Sequence, residues 1–164
     1  MINMLMPDMT DIANKLLAVG LAAALLTTPS LAKDEAMQKA VGEFEIKMAP
    51  VSAADEALMR MSIDKQFHGD LEATSIGQMM AAGNEASGAR VYVALETVTG
   101  SLNGHAGSFI LAHRGTMTSS DQALSVIIVP DSGTDELKGI SGTLKIDISE
   151  GKNFYTLDYA LPTN

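Results

Sequence analysis

The chain has no cysteine and no tryptophan, and aromatic residues make up only 4% of its 164 positions. Lack of cysteine excludes disulfides, a thiolate nucleophile, cysteine-ligated metal and a lipid-bearing N-terminal cysteine. Basic residues are scarce: 11 Lys and Arg stand against 20 Asp and Glu, a formal net charge of −9. An acidic surface repels phosphate backbones and anionic lipid, and no Lys- or Arg-rich run offsets it. Nucleic acid is therefore not an expected partner. Three histidines are too few and too scattered for a metal motif: His68 and His105 fall at turns and His113 is alone on its segment. No metal and no cofactor are expected. The segment from Asp131 to Glu136 is rich in oxygen but does not follow the calcium-loop pattern, and reads as turn chemistry. There is no Gly-x-Ser-x-Gly elbow and no phosphate-cradling glycine loop.

What the chain does have is 46% hydrophobic residues, enough for a core and too many for intrinsic disorder. Its length suits one domain. Residues 16–26 form an uninterrupted apolar run preceded by Lys15 and followed by Thr27-Thr28-Pro29 and then Ser30-Leu31-Ala32. The run is shorter than the roughly 20 residues of a membrane span. Its length, the helix-breaking Pro29 and the small residues Ser30 and Ala32 are those of a cleaved signal peptide. Residues 1–32 are read as that leader, with cleavage after Ala32, and the protein as periplasmic or secreted. Met9 is an alternative start, which would remove Asp8 from a leader that otherwise carries one Lys and two Asp. The remaining residues, 33–164, hold 10 basic and 18 acidic side chains, a net of −8.

Beyond residue 40 short alternating segments are punctuated by Gly, Asn, Asp and Ser, the pattern of an all-β domain. The spacing predicts strands over 42–48, 58–68, 71–78, 89–99, 108–114, 123–129, 140–148 and 153–161. Turns are expected at Gly69-Asp70, across 83–88, at Asn103-Gly104, across 131–134 and at Glu150-Gly151. About eight strands with mostly short connections imply an antiparallel up-and-down sheet. Closed at that number, a barrel is filled by side chains or holds one small ligand. An outer-membrane barrel is disfavoured, because such barrels carry aromatic girdles and this chain has few aromatics and charges scattered along its strands. No stable membrane insertion is expected after cleavage of the leader.

Three stretches carry a family resemblance. They are Asp64-Lys65-Gln66-Phe67-His68-Gly69-Asp70-Leu71; Tyr92-Val93-Ala94-Leu95-Glu96 with Gly104-His105-Ala106-Gly107-Ser108-Phe109 and His113; and Ser132-Gly133-Thr134-Asp135-Glu136-Leu137-Lys138-Gly139-Ile140-Ser141-Gly142. Together they resemble a bacterial family of small proteins classed as a domain of unknown function. That family is similar in fold to the allene oxide cyclase barrel, a relative of the lipocalin-type calycins. The resemblance spans roughly residues 40–161 and implies a calycin-like barrel. It transfers no catalytic residue. His105 departs from the family pattern, where Arg is more usual.

Period two places Glu96 with Tyr92, His113 with Phe109 and Leu111, and Lys65 with Phe67. If those faces point inward, the lumen holds a carboxylate, an imidazole, an ammonium and a phenol among apolar walls. Such a set can orient the head group of an apolar ligand or act as a general acid or base. The plainer account is an ion pair at a barrel end between Glu96 and Lys65 or Arg114, since a buried carboxylate must be paired or neutral. The lumen candidates are Lys65, Phe67, Tyr92, Glu96, Phe109, His113, Tyr155 and Tyr159. Methionines at 48, 59, 61, 79, 80 and 117 would suit an irregular apolar guest, and would equally fill a core. The sequence thus admits a binder of a small apolar or amphipathic molecule, an isomerase or cyclase acting on one, or a structural barrel with a filled interior.

Overall fold

The computed structural model describes residues 36–52, 58–84 and 86–162. The expected leader, residues 1–32, lies outside the described residues. Eight strands follow in order: β1 (Gln38–Pro50), β2 (Met59–Gly69), β3 (Leu71–Asn84), β4 (Ala89–Leu102), β5 (His105–Met117), β6 (Gln122–Ile128), β7 (Ser141–Ser149) and β8 (Lys152–Ala160). Each pairs antiparallel with the next, and β8 pairs back onto β1, closing the barrel. Between β6 and β7 runs a single 3-10 turn, Asp135–Leu137. Among the described residues no helix is long and apolar enough to cross a membrane.

The tight turns sit at positive φ, a region that glycine and asparagine accept readily and Glu150 adopts beside Gly151. Asn103 and Gly104 sit at φ 48° and 85°, and Glu150 and Gly151 at 52° and 77°. Both pairs match a two-residue hairpin whose twist agrees with that of the flanking strands. Several strands are longer than hydrophobic alternation predicts. The β3–β4 ladder continues through Gly83↔Arg90 to Asn84↔Ala89, so Gly83 and Asn84 belong to the strand rather than to the expected loop. Backbone pairing needs no apolar side chain, so a ladder can outrun the pattern that reveals it.

Every multi-residue ladder runs in unbroken register, so alternate residues keep to one side along each strand. The inward side forms one core at one end of the barrel. It includes Phe44, Phe67, Leu71, Val98, Leu102, Phe109, Leu111, Leu144 and Leu157. Leu137 and Ile140, from the β6–β7 connection, are buried with it and plug that end. The plug is stitched to the free edge of β5. The Ile110 amide donates to Ser132 Oγ (3.0 Å), the Ser108 amide to Thr134 Oγ1 (3.0 Å) and the Ala106 amide to Glu136 Oε2 (2.7 Å). The oxygens of that segment therefore serve β5 as it runs past the end of β6. They supply the partners that backbone amides require. With no disulfide available, burial of these large side chains, each contributing roughly 1.5–3 kcal/mol, is the main support of the fold.

The opposite end carries the β1–β2, β3–β4, β5–β6 and β7–β8 connections. The outer face is unevenly polar. Charges concentrate on β1, β2, β7 and β8, whereas β4 turns Val91, Val93 and Leu95 outward, the last 58% exposed.

Candidate functional site

Four polar side chains are buried within the barrel: Lys65, Ser75, Glu96 and His113, with residual exposures of 4%, 1%, 1% and 7%. They come from four consecutive strands, β2 to β5, and meet on Glu96. Lys65 Nζ donates to Glu96 Oε1 at 2.7 Å, and His113 Nε2 lies 2.8 Å from the same oxygen. Ser75 Oγ donates to Oε2 at 2.7 Å. The register explains the meeting: Lys65 stands opposite Ser75 across β2–β3, and Glu96 stands opposite Gly77 across β3–β4. Gly77 is needed there because a Cβ would lie 2.6 Å from the Glu96 Cβ.

Burial alone raises the pKa of Glu96. The hydrogen bond from His113, the charge and hydrogen bond of Lys65 and the hydrogen bond from Ser75 overcome it, and the carboxyl is held down to about 2. Glu96 is therefore ionised at neutral pH and accepts every hydrogen bond it makes. Lys65 Nζ also faces the rings of Phe44 and Phe67, 5.0 and 5.6 Å from their centroids. Its charge is balanced by Glu96 and cradled by aromatic faces.

All eight sequence candidates point inward, but they divide into layers. Lys65, Glu96 and His113 form the polar cluster. Phe67 and Phe109 belong to the apolar core beneath it. Tyr155 and Tyr159 close the plugged end. The Tyr155 hydroxyl accepts from the Leu71 amide at 2.8 Å and donates to the His68 carbonyl at 3.3 Å. The Tyr159 hydroxyl accepts from Asn103 Nδ2 and donates to Gln38 Oε1. Tyr92 lies on the other side of the cluster, its ring against Gly115, where a Cβ would come within 2.0 Å of Tyr92 Cε1. Lys65, rather than Arg114, is the partner of Glu96, because Arg114 is exposed on the outer face. Ser75 was not foreseen. Its phase with Leu71 and Ala73 along β3 is the signal that would have found it.

Beyond the cluster the inward positions divide: Ile63, Ala81 and Ala94 on β2 to β4 stay buried, Arg90 and Gln122 are polar, and a further set is apolar and partly or fully exposed. The exposed or half-exposed apolar set is Ile46 and Met48 on β1, Met59 and Met61 on β2, Met79 on β3, Met117 on β5, Leu124 on β6 and Ile148 on β7, whereas Ile146 packs against the core. Met59 is 49% and Ile148 70% exposed, though each shares a phase with buried residues of its strand. Five of the six methionines singled out in the sequence stand in this set, and Met80 alone faces outward. The barrel is therefore, among the described residues, plugged and packed below, has an ion pair and an imidazole at mid-height, and carries flexible apolar side chains above them. Among the described residues no group of three or more His, Asp or Glu is placed to hold a metal ion.

Residues 40–159 match a family described as "Protein of unknown function (DUF3224)". Among solved structures, the chain is similar to a DUF3224-family protein with unknown function from Shewanella oneidensis MR-1. The two share 40% identity at a TM-score of 0.74, and the match covers 79% of this chain and all of that one. No curated protein sequence matches the chain.

Proposed function

Because the chain belongs to the DUF3224 family, described only as of unknown function, we propose a function from its own geometry: an exported barrel that binds a small apolar or amphipathic molecule in its open end. The observation that carries this reading is the ring of inward-phase Met, Ile and Leu side chains left exposed above the polar floor. A soluble domain with a filled interior has no need to expose inward apolar positions. A ligand pocket combines apolar walls with a few placed polar groups. Methionine, unbranched and polarizable, adapts to guests of irregular shape. The closed eight-stranded meander is of the size that holds one small ligand, which favours the calycin-like assignment. The apolar run at 16–26 and the small residues before Lys33 favour export, with cleavage after Ala32, to the periplasm or beyond.

A second reading has one specific observation behind it. The Glu96–His113 pair is the arrangement that orients an imidazole as a general base, and it favours an isomerase or cyclase acting on the same class of molecule.

The test is native mass spectrometry on protein purified from cells without detergent, before and after solvent extraction. A stoichiometric adduct that disappears on extraction supports binding and identifies the class of ligand. A bare mass, together with no uptake of added long-chain amphiphiles, refutes it.

A further inference from the structure

The chemistry of the floor narrows the class of ligand, on the premise that the open end binds one. Glu96 is ionised and can only accept, so His113 Nε2 must be the donor in their contact. In the neutral ring that fixes the tautomer and leaves Nδ1 with a free lone pair. Among the described residues Nδ1 has no hydrogen-bond partner, and neither does the hydroxyl of Tyr92. Yet neither atom is sealed from solvent: among the described residues the one sealed side-chain polar atom without a partner is Arg60 Nε. Burial pushes the Tyr92 phenol up, so it stays protonated and can donate.

These two groups are close by topology. Tyr92 is paired with Gly115, two residues beyond His113 on the same inward face of β5, and His113 is paired with Ala94. Tyr92 and His113 are thus diagonal neighbours across the β4–β5 ladder, a spacing that long and aromatic side chains bridge. One is an acceptor, the other a donor, and both lie where the polar floor meets the methionine rim.

The charge balance is equally specific. Lys65 carries one positive charge and Glu96 one negative charge, at 2.7 Å, and His113 is the other titratable side chain in that contact. Tyr92, the titratable group above them on β4, is neutral. Among the described residues no Lys or Arg is left over at the floor itself; Arg90, in the inward phase two residues before Tyr92, stands at the exposed rim beside Met117. A carboxylate head group seated here would add a second buried anion beside Glu96 without a counter-charge, which is strongly unfavourable.

We propose that the lumen selects an uncharged, hydroxyl-bearing amphiphile over a fatty-acid-like anion, with the hydroxyl donating to His113 Nδ1 and accepting from the Tyr92 hydroxyl. The alkyl tail then runs upward between Met61 and Met79.

Isothermal titration of the extracted protein with decanol and with decanoate, at mildly alkaline pH, tests this. Decanol should bind at least about tenfold more tightly than decanoate. Tyr92→Phe, which keeps the ring against Gly115, should weaken decanol several-fold and leave decanoate unaffected. His113→Phe should do the same, and circular dichroism establishes whether it folds. Should it not fold, Tyr92→Phe alone decides. Decanoate binding as tightly as decanol overturns the proposal while leaving lumenal binding intact, as does decanol binding that Tyr92→Phe does not weaken. Absence of binding by either probe overturns the binding reading itself, and this proposal with it.

Discussion

Replacing Lys65 with methionine isolates the interaction on which the floor of the barrel depends. The substitution keeps most of the aliphatic volume and removes the charge 2.7 Å from Glu96 Oε1. Removing one partner of a buried pair costs about 3–5 kcal/mol, because the other charge stays buried without compensation. The depressed pKa of Glu96 gives a second figure. Its folded-state value of about 2 lies below the ordinary 4.5. At about 1.4 kcal/mol per unit, the native contacts stabilise the ionised form by about 3 kcal/mol. Since the folded value is the depressed one, that stability is fully present above pH 4.5 and is lost as the pH falls toward 2. In Lys65→Met the burial that raises the Glu96 pKa remains while a main opposing contribution is gone. The variant should therefore be weakest near neutrality, and its deficit should shrink on acidification. Urea unfolding followed by far-UV circular dichroism should show the midpoint falling by roughly 2 M at neutral pH. Lys65→Met combined with Glu96→Gln should recover more than half of that loss, since no uncompensated charge is left. A loss under about 1 kcal/mol, or one independent of pH, would refute this account of the floor.

Other consequences are local. Tyr155→Phe leaves the buried Leu71 amide without its acceptor and should cost about 1–3 kcal/mol in the same unfolding assay. Gly115→Ala forces a Cβ to within 2.0 Å of Tyr92 Cε1. It should destabilise by about 1–3 kcal/mol and, by displacing the ring, weaken decanol binding. The seam between β6 and β7 is joined by a single ladder pair, Ile127↔Thr143, whereas β3 and β4 pair over 14 positions. Hydrogen exchange should accordingly be fastest along that seam and slowest in the β3–β4 hairpin, and equal protection of the two would contradict it.

The number of strands, their order and most of the turns were legible in the sequence, because alternation and turn residues are local signals. Asn103, Gly104 and Gly151 carry their own preference for positive φ, Glu150 follows its glycine partner, and both turns form. Strand ends were less legible: Gly83 and Asn84 look like a loop yet continue a ladder whose support is across the sheet. The inward phase of Lys65, Glu96 and His113 follows from neighbours such as Phe67, Val98 and Leu111. Their convergence on one carboxylate does not, because register between non-adjacent strands decides it. That same register separates Tyr155 and Tyr159, which close the far end, from Tyr92, which faces the rim. No local pattern distinguishes the three. The methionines illustrate the limit. Composition allowed them a place in a lumen or in a core, and the barrel sets five at the open end, two of them half-buried.

The central claim, that a guest enters the methionine-rimmed end, is tested most directly by NMR of protein with isotope-labelled methionine methyls during titration with decanol. The account predicts saturable shifts at Met61 and Met79, with smaller ones at Met48, Met59 and Met117. The outward-facing Met80, and Met37 outside the barrel strands, should stay still. Shifts at Met80 equal to those at Met61 and Met79, or no saturable shift at any methionine, would contradict it.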